Sequence, residues 1–213
     1  MGRMPTMQRT FDLFDSKLQQ PTDLGDGALL QHWHPLLHDA SDVLLSALIN
    51  DIAWQQPTVT VFGASHRIPR LQCWMGDPQA YYRYSGLPMK PAPWHPEVAH
   101  LKRIVELTCG HRFNAVLINY YRNGSDHMGW HSDDEAELGA APWVASYNLG
   151  ESREFALRRK GESKTALKFP LMHDQLMLMN PAVQHGWQHS VPIRKRANGA
   201  RINMTFRAIQ PGV

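Results

Sequence analysis

The feature that most constrains the fold of this chain is a change of hydrophobic period after residue 112. From Phe113 onward, apolar and polar residues alternate in segments that are separated by turn residues: FNAVLINYY, WVASYNLG, REFALRR, DQLMLMN and ARINMTFRAI. A period of two residues is typical of β-strands, because successive side chains of a strand point to opposite faces. The C-terminal half is therefore predicted to be a sandwich or barrel of short strands.

The N-terminal half is predicted to contain two helices. SDVLLSALINDIAW starts with Ser41 as a candidate N-cap and then places leucine and isoleucine at helical spacing. HPEVAHLKRIVELTCG has Pro96 where it suits a first turn and Gly110 where it suits a C-terminal stop. TVTVFG is predicted as a short strand, and RLQCWMGDPQAYYRYSGLPMKPAPW as an irregular loop because of its Pro and Gly residues. We expect an α+β fold, preceded by an extension or loosely packed cap over residues 1–35.

Composition narrows the class of protein but leaves its function open. With 213 residues the chain can bury a sizeable core without disulfides or a structural metal. The two cysteines form no paired motif, the first ten residues lack the apolar run of a signal peptide, and no segment matches a membrane span. We expect a monomer without a membrane partner, cytoplasmic or, in a eukaryote, nuclear. The net charge of +3 and the pI of about 9.0 permit a polyanionic partner.

The segment GWHSDDEAEL contains a candidate metal site. His131 and Asp133 are two residues apart, so in a strand or an extended turn they project to the same side. Such a pair alone is more often a bystander than a metal site. Two histidines and one carboxylate on one face of an octahedral ion leave positions open for a cosubstrate and oxygen, which suits Fe(II). His173, His185 and His189 are all candidates for the third ligand, and spacing alone does not select among them.

The segment RINMTFR at 201–207 is predicted to be a strand with two contrasting faces. Its apolar residues alternate with a polar set: Arg201, Asn203, Thr205 and Arg207. In solvent this pattern is ordinary sheet amphipathicity, whereas in a pocket it is an anion site. The two guanidiniums can grip the carboxylates of a dicarboxylate, with the amide and the hydroxyl donating between them. Asn119 and Tyr121 share one side of FNAVLINYY and supply a second set of hydrogen-bonding groups.

Taken in order, these patterns resemble the AlkB-type Fe(II)- and 2-oxoglutarate-dependent dioxygenases. The likeness runs from about residue 58 to the C-terminus and includes NYYRNGSDHMGWHSDDE, SYNLGESREFALRRK, LMLMNPAVQHGWQHSVP and RINMTFR. It implies a double-stranded β-helix, or jelly-roll, core with flanking helices and an N-terminal nucleotide-recognition segment. The implied single domain covers 36–213, with helices and recognition loops over 36–112 and the core over 113–213.

The resemblance also implies a set of cofactors and the residues that hold them. Fe(II) would be bound by His131, Asp133 and His189, with 2-oxoglutarate and O2 as cosubstrates. The residues implied around 2-oxoglutarate are Asn119, Tyr121, Arg201, Asn203, Thr205 and Arg207.

The resemblance extends to members of the family that repair duplex DNA, and there it implies three groups of substrate contacts. The first is a hydrophobic finger formed by Val61, Phe62 and Gly63. The second is a base-holding segment formed by Tyr82, Arg83 and Tyr84. The third is a contact between Asp134 and the damaged base. An apolar wedge can enter a base stack, an aromatic ring can sandwich an extruded base against His131, and a carboxylate suits a cationic alkylated base.

The function implied is oxidative demethylation of 1-methyladenine and 3-methylcytosine in DNA, with release of formaldehyde. Two alternatives remain open at this point. One is an oxygenase that acts on RNA, a protein or a small molecule, and the other is a noncatalytic nucleic-acid binder. The basic runs at 158–160 and 194–196 are either solvated or in contact with phosphates.

Overall fold

Two antiparallel β-sheets form the framework of the computed structural model, which describes residues 18–61, 64–84 and 87–210. The helices are α1 (Ala40–Asp51), α2 (Pro96–Cys109) and α3 (Pro181–Gly186). The strands are β1 (Thr22–Gly25), β2 (Ala28–Trp33), β3 (Thr58–Val61), β4 (Ala64–Arg67), β5 (Leu71–Gly76), β6 (Tyr82–Tyr84), β7 (Leu87–Met89), β8 (Ala115–Tyr121), β9 (Met128–His131), β10 (Val144–Gly150), β11 (Arg153–Arg159), β12 (Leu167–Leu171), β13 (Gln175–Met179), β14 (Trp187–Val191) and β15 (Arg201–Arg207).

The strand order is that of a jelly roll flanked by helices. The large sheet has the order β1-β2-β13-β10-β15-β8-β5 and the small sheet the order β12-β11-β14-β9. Neighbouring strands within both sheets run antiparallel, and the inner faces of the sheets enclose a common cavity. Two separate hairpins, β3–β4 and β6–β7, lie between α1 and α2 in the chain. The predicted α+β fold with a jelly-roll core is confirmed.

Strand β15 lies at the centre of the large sheet, between β10 and β8. Its apolar residues Ile202, Met204 and Phe206 are fully buried in the same core as residues of α1 and α2. Burial of a side chain of this size contributes about 1.5–3 kcal/mol. The alternation of the strand then turns Arg201 and Arg207 to the inner face, toward the small sheet. Packing of the apolar face of β15 against the helices therefore fixes which of its side chains enter the cavity.

Helix α2 has the predicted ends. Pro96 occupies the first turn, and Gly110 adopts the left-handed conformation at φ 73° while its N–H donates to the carbonyl of Glu106.

The prediction that Ser41 caps α1 is wrong, because the helix starts at Ala40 and Ser41 lies inside its first turn. The Ser41 hydroxyl instead donates to the carbonyl of His38 and accepts from His173 Nε2.

The expected extension over residues 1–35 is wrong for residues 22–33, which form β1 and β2 of the large sheet. Leu30 is fully buried, and the last four residues of β2 pair with β13, which lies more than 140 residues later in the chain. The six residues ALLQHW are too few to show a clear period, and the strand that completes their pairing is distant in sequence. Residues 1–17 lie outside the described part of the chain.

The segment expected to be an irregular loop contains the edge strand β5 and the hairpin β6–β7. In β5, Cys73, Trp74 and Met75 are all buried, so both faces of the strand are covered and no alternation appears in the sequence. The prediction of a strand in TVTVFG is confirmed for Thr58–Val61. Among the described residues, no helix combines the length and the apolar character needed to cross a bilayer.

Candidate metal and cosubstrate site

The two histidines and the aspartate predicted to bind metal meet at one edge of the small sheet. His131 ends β9 and faces His189 of β14 directly across the strand pair, with ring centroids 4.3 Å apart. Asp133 follows β9 by two residues, and one potential ligand atom from each of the three residues lies within 4.8 Å of the others. The other two candidates are elsewhere: His173 is held between Ser41 and the backbone N–H of Gly150, and His185 is exposed on α3.

Local hydrogen bonds orient the His131 ring and hold the backbone of Asp133. The Nδ1–H group of His131 donates to the carbonyl of Gly129 at 2.9 Å, which leaves Nε2 as the atom available to a metal. The backbone N–H of Asp133 donates to Oε1 of Gln184, a fully buried side chain of α3. Nothing in the spacing of the sequence singled out Gln184, because its contact crosses 51 residues.

The charge states of the three residues match those required of metal ligands. Burial alone would raise the pKa of Asp133, but the adjacent Arg207 guanidinium and the two histidines hold it at about 2. Burial lowers the pKa of His189 to about 3 and also lowers the pKa of His131. At neutral pH the site therefore presents one carboxylate and two neutral imidazoles, which are the protonation states in which these groups bind a metal.

One buried oxygen at this site shows that the residues fit a cation. Asp133 is 1% exposed, and Arg207 donates to its Oδ1. Its Oδ2 is 3.7 Å from His189 Nε2 and accepts no hydrogen bond from the described residues. A buried carboxylate oxygen without a donor is costly unless an ion occupies the position. A donor set of two imidazoles and a carboxylate with open positions suits Fe(II).

The residues predicted to surround a dicarboxylate line the cavity next to this metal site. Pairing of β15 with β8 places Arg201 opposite Tyr121 and Asn203 opposite Asn119, on the inner face of the large sheet. The unfilled space is about 400 Å³, part of it open to solvent. All six predicted residues are buried and line this space together with the candidate metal ligands: Asn119, Tyr121, Arg201, Asn203, Thr205 and Arg207.

Arg201 is the strongest indication that this cavity binds an anion. It is 1% exposed, donates from Nη2 to Asn148 Oδ1 and lies 4.8 Å from the centre of the Tyr121 ring. Within the described ranges no carboxylate is within ion-pair distance of it, and its Nε and Nη1 donate no hydrogen bond there. Burial lowers the pKa of Arg201, yet a guanidinium remains charged at neutral pH. A buried cation without a counter-ion is costly, so an anionic ligand is expected at this position.

Asn203 and Thr205 act differently from the expectation that they donate between the two arginines. Asn203 Nδ2 donates to Ser146 Oγ at 2.8 Å and to Asn148 Oδ1 at 3.2 Å, and Thr205 Oγ1 donates to Asn203 Oδ1 at 3.0 Å. Both donors are therefore used within the sheet. The Asn203 amide also holds Oδ1 of Asn148, the oxygen that accepts from Arg201. Ser146 and Asn148 were missed as site residues, although the alternation in SYNLG places both on the inner face.

The side chains of the basic run at 158–160 form contacts with other residues at the protein surface. Its three cations pair in chain order with Gln188, Asp26 and Asp134. The last of these ion pairs joins Lys160 Nζ to Asp134 Oδ2 at 2.6 Å, with 48% of the Asp134 side chain exposed. Asp134 therefore lies at the surface, directly after the buried Asp133.

The remaining substrate contacts implied by the resemblance stay predictions. Val61 ends β3 and pairs with Ala64 of β4, while Phe62 and Gly63 lie outside the described residues. The range Tyr82–Tyr84 forms β6, and the side chains of this strand also lie outside the described part of the structure.

The depressed pKa of His189 predicts how the stability of the metal-free protein depends on pH. Above its ordinary pKa of 6.5, His189 is neutral in both the folded and the unfolded protein and contributes no pH dependence. Between pH 6.5 and about 3, the unfolded chain binds a proton that the folded chain excludes, so the free energy of unfolding falls as the pH falls. Asp133, whose pKa falls from 3.8 to about 2 on folding, adds a slope of the same sign only below about pH 5, so His189 accounts for the change between pH 7 and pH 5.

Urea unfolding in the presence of a chelator checks this expectation. The midpoint of the wild-type protein should fall between pH 7 and pH 5, and His189→Gln should reduce that fall. Equal pH dependence of the two proteins would contradict the assignment.

Comparison with known proteins agrees with this geometry. The family model of the 2OG-Fe(II) oxygenase superfamily matches residues 29–207. The human protein "Alpha-ketoglutarate-dependent dioxygenase alkB homolog 3" is 38% identical over 180 residues, which cover 80% of this chain but 62% of the human protein. The mouse "DNA oxidative demethylase ALKBH2" is 41% identical over 161 residues, covering 72% of this chain and 67% of the mouse protein. The matched region therefore spans about two thirds or less of these relatives.

Two solved structures show the same fold at low sequence identity. The structure of OsALKBH1 matches with a TM-score of 0.61 at 17% identity and covers 88% of this chain and 99% of that one. A 2OG-Fe(II) oxygenase family oxidoreductase from Burkholderia pseudomallei matches with a TM-score of 0.52 at 18% identity, covering 80% of each chain.

The family match and the relatives account for both the candidate metal ligands and the buried anion site. Fe(II), 2-oxoglutarate and O2 are the cofactor and cosubstrates of the matched superfamily, in agreement with the candidate metal ligands and the buried anion site. This chain belongs to the 2OG-Fe(II) oxygenase superfamily and, within it, to the AlkB-type dioxygenases.

Proposed function

We propose that this protein is an oxidative demethylase of N-alkylated bases in DNA, with 1-methyladenine and 3-methylcytosine as substrates. The observation that carries the proposal is one buried cavity in which His131, Asp133 and His189 converge beside Arg201, a cation without a counter-ion among the described residues. Identity of 41% to a mouse protein named as a DNA oxidative demethylase supports nucleic acid as the substrate class.

In this proposal the protein binds, orients and shields the reacting groups. His131, Asp133 and His189 would hold the metal, and Arg201 would hold a carboxylate of 2-oxoglutarate. When bound, Fe(II) with 2-oxoglutarate and O2 supplies the oxidant that hydroxylates the methyl group. The apolar side chains Phe155 and Leu171 line the same cavity and limit access of water to the reacting centre. The hydroxymethyl group on the ring nitrogen then leaves as formaldehyde and restores the base.

Asp134 supports a cationic base as the substrate. Its carboxylate is about half exposed, follows the metal ligand Asp133 in the chain and already pairs with the ammonium of Lys160. Methylation at the ring nitrogen gives 1-methyladenine and 3-methylcytosine a positive charge that the normal bases lack. Such a base can take the place of Lys160 beside Asp134, because both are attracted to a carboxylate.

One assay distinguishes this function from its alternatives. The protein is incubated with Fe(II), 2-oxoglutarate and O2 together with methylated single-stranded or duplex oligonucleotides, and formaldehyde, succinate and restored bases are measured. We expect one formaldehyde for each base restored. Succinate formation without repair would indicate an RNA, protein or small-molecule substrate, and DNA binding without any succinate would indicate a noncatalytic binder.

A further inference from the structure

A buried arginine outside the predicted set of site residues contacts that set directly. Arg70 immediately precedes β5, the edge strand that pairs with β8, and it is buried. Its Nε donates to Oδ1 of Asn119 at 2.7 Å. Asn119 is also buried and lines the cavity that contains the candidate metal ligands. Arg70 therefore contacts a residue of the cavity wall directly.

This contact fixes the orientation of the Asn119 amide. A guanidinium has donors and no acceptor, so the end of the amide that faces Arg70 has to be the oxygen. The Nδ2 group then points away from Arg70, and Asn119 forms no other side-chain hydrogen bond within the described ranges. The Nδ2 donor of Asn119 is therefore the end of the amide that is available to a ligand in the cavity.

The orientation matters because the cavity is built for an anion. With Nδ2 directed at the ligand, Asn119 donates to a carboxylate oxygen. With the amide rotated by half a turn, the carbonyl oxygen would face the carboxylate and repel it. Nothing in the amide itself favours one orientation, because its two ends are similar in size, so the choice is made by its hydrogen-bond partner Arg70.

We propose that Arg70 is a positioning residue for the cosubstrate: it holds the Asn119 amide with its donor directed into the cavity and so increases the affinity for 2-oxoglutarate. The inference rests on the proposed function in that the anion of the cavity is taken to be 2-oxoglutarate.

A double-mutant cycle tests this inference by equilibrium binding rather than by turnover. Anaerobic titration of the Fe(II)-loaded protein with 2-oxoglutarate gives the dissociation constant of the wild type, Arg70→Met, Asn119→Ala and the double variant. Loss of a hydrogen bond to a charged group typically lowers an equilibrium constant by about 10- to 100-fold, and we expect a loss of that order in both single variants. The double variant should bind no more weakly than Asn119→Ala alone, because Arg70 acts through that amide.

Arg112→Met is the matched control, since it removes the same charge from a side chain that is 92% exposed. Its dissociation constant for 2-oxoglutarate should equal that of the wild type. If Arg70→Met weakens binding equally in the presence and absence of Asn119, Arg70 acts by another route and the proposal is overturned.

Asn119→Asp provides a second test that keeps the contact with Arg70. The new carboxylate still accepts from Arg70, but it offers an oxygen to the cavity in place of the donor. We expect an unchanged or higher melting temperature together with a loss of 2-oxoglutarate binding of at least about 10-fold, by the same reasoning as for the cycle. Undiminished binding would overturn the proposal. Absence of 2-oxoglutarate binding by the wild type would instead overturn the proposed function, and this inference with it.

Discussion

Replacement of His131 by alanine is expected to abolish turnover of 2-oxoglutarate, with or without a nucleic acid. His131 is one of only three side chains that converge on the candidate metal position in the described part of the chain. Its loss leaves two ligands and removes the imidazole that Gly129 orients. We expect the variant to lose Fe(II) on gel filtration and to form succinate only at the background rate.

His185→Ala is the matched control for this prediction. His185 lies four residues before His189 in the chain but is exposed on α3, so its removal should leave the Fe(II) content and the rate of succinate formation unchanged. Full activity of the His131 variant would remove that residue from the ligand set.

Replacement of Arg201 by methionine is expected to weaken the use of 2-oxoglutarate without destabilising the free protein. Loss of a charge-assisted hydrogen bond costs about 1.5–3 kcal/mol, which corresponds to an increase of about 10- to 100-fold in the KM for 2-oxoglutarate. In the absence of the cosubstrate, however, the buried guanidinium has no counter-ion among the described residues. Its removal should therefore leave the free energy of unfolding unchanged or raise it.

Arg153→Met is the matched comparison, because Arg153 is equally buried but has a structural role. Its guanidinium donates to the backbone carbonyls of Asn123, Asp126 and Pro192. Removal of these donors takes one hydrogen bond from each of the three carbonyls, so the free energy of unfolding should fall by about 3 kcal/mol or more. Urea unfolding measures the stability of both variants. A loss of stability for Arg201→Met as large as that for Arg153→Met would show that Arg201 holds the fold rather than a ligand.

The ion pair between Arg207 and Asp133 links the two halves of the candidate site. Arg207 lies on the anion-binding face of β15, and its Nη2 donates to the carboxylate of a candidate metal ligand. The same guanidinium therefore fixes one oxygen of Asp133 and leaves the other facing His189. A change at Arg207 should accordingly affect the metal site and the cosubstrate site together.

The sequence predicted best those features that depend on local periodicity. Five segments with a period of two residues correspond to β8, β10, β11, β13 and β15, because successive side chains of a strand point to opposite faces. The ends of α2 were also predictable, since Pro96 and Gly110 suit the backbone conformations found at those positions. Local pattern failed for β2 and β5: β2 is short, and β5 is buried on both faces.

The site required contacts between segments that are far apart in the chain. Spacing placed His131 and Asp133 on one side of the chain but could not distinguish His189 from His173 or His185, and the resemblance to a family supplied that choice. The structure brings His189 next to the pair through the register of β14 on β9, which joins residues 58 positions apart. Arg70 and Gln184 gave no signal in the sequence, because each contacts the site across about 50 residues.

By itself, then, the sequence determined which side chains share a face, because backbone geometry ties the direction of a side chain to its position along a strand. In RINMTFR the alternation alone separates the buried apolar set from Arg201 and Arg207. Only the tertiary structure decided what that polar face meets. It faces a cavity between the two sheets and an ionised Asp133, and the donors of Asn203 and Thr205 are already used within the sheet. The physical reason is that partners across a sheet are set by strand register and core packing, which join residues that no local pattern connects.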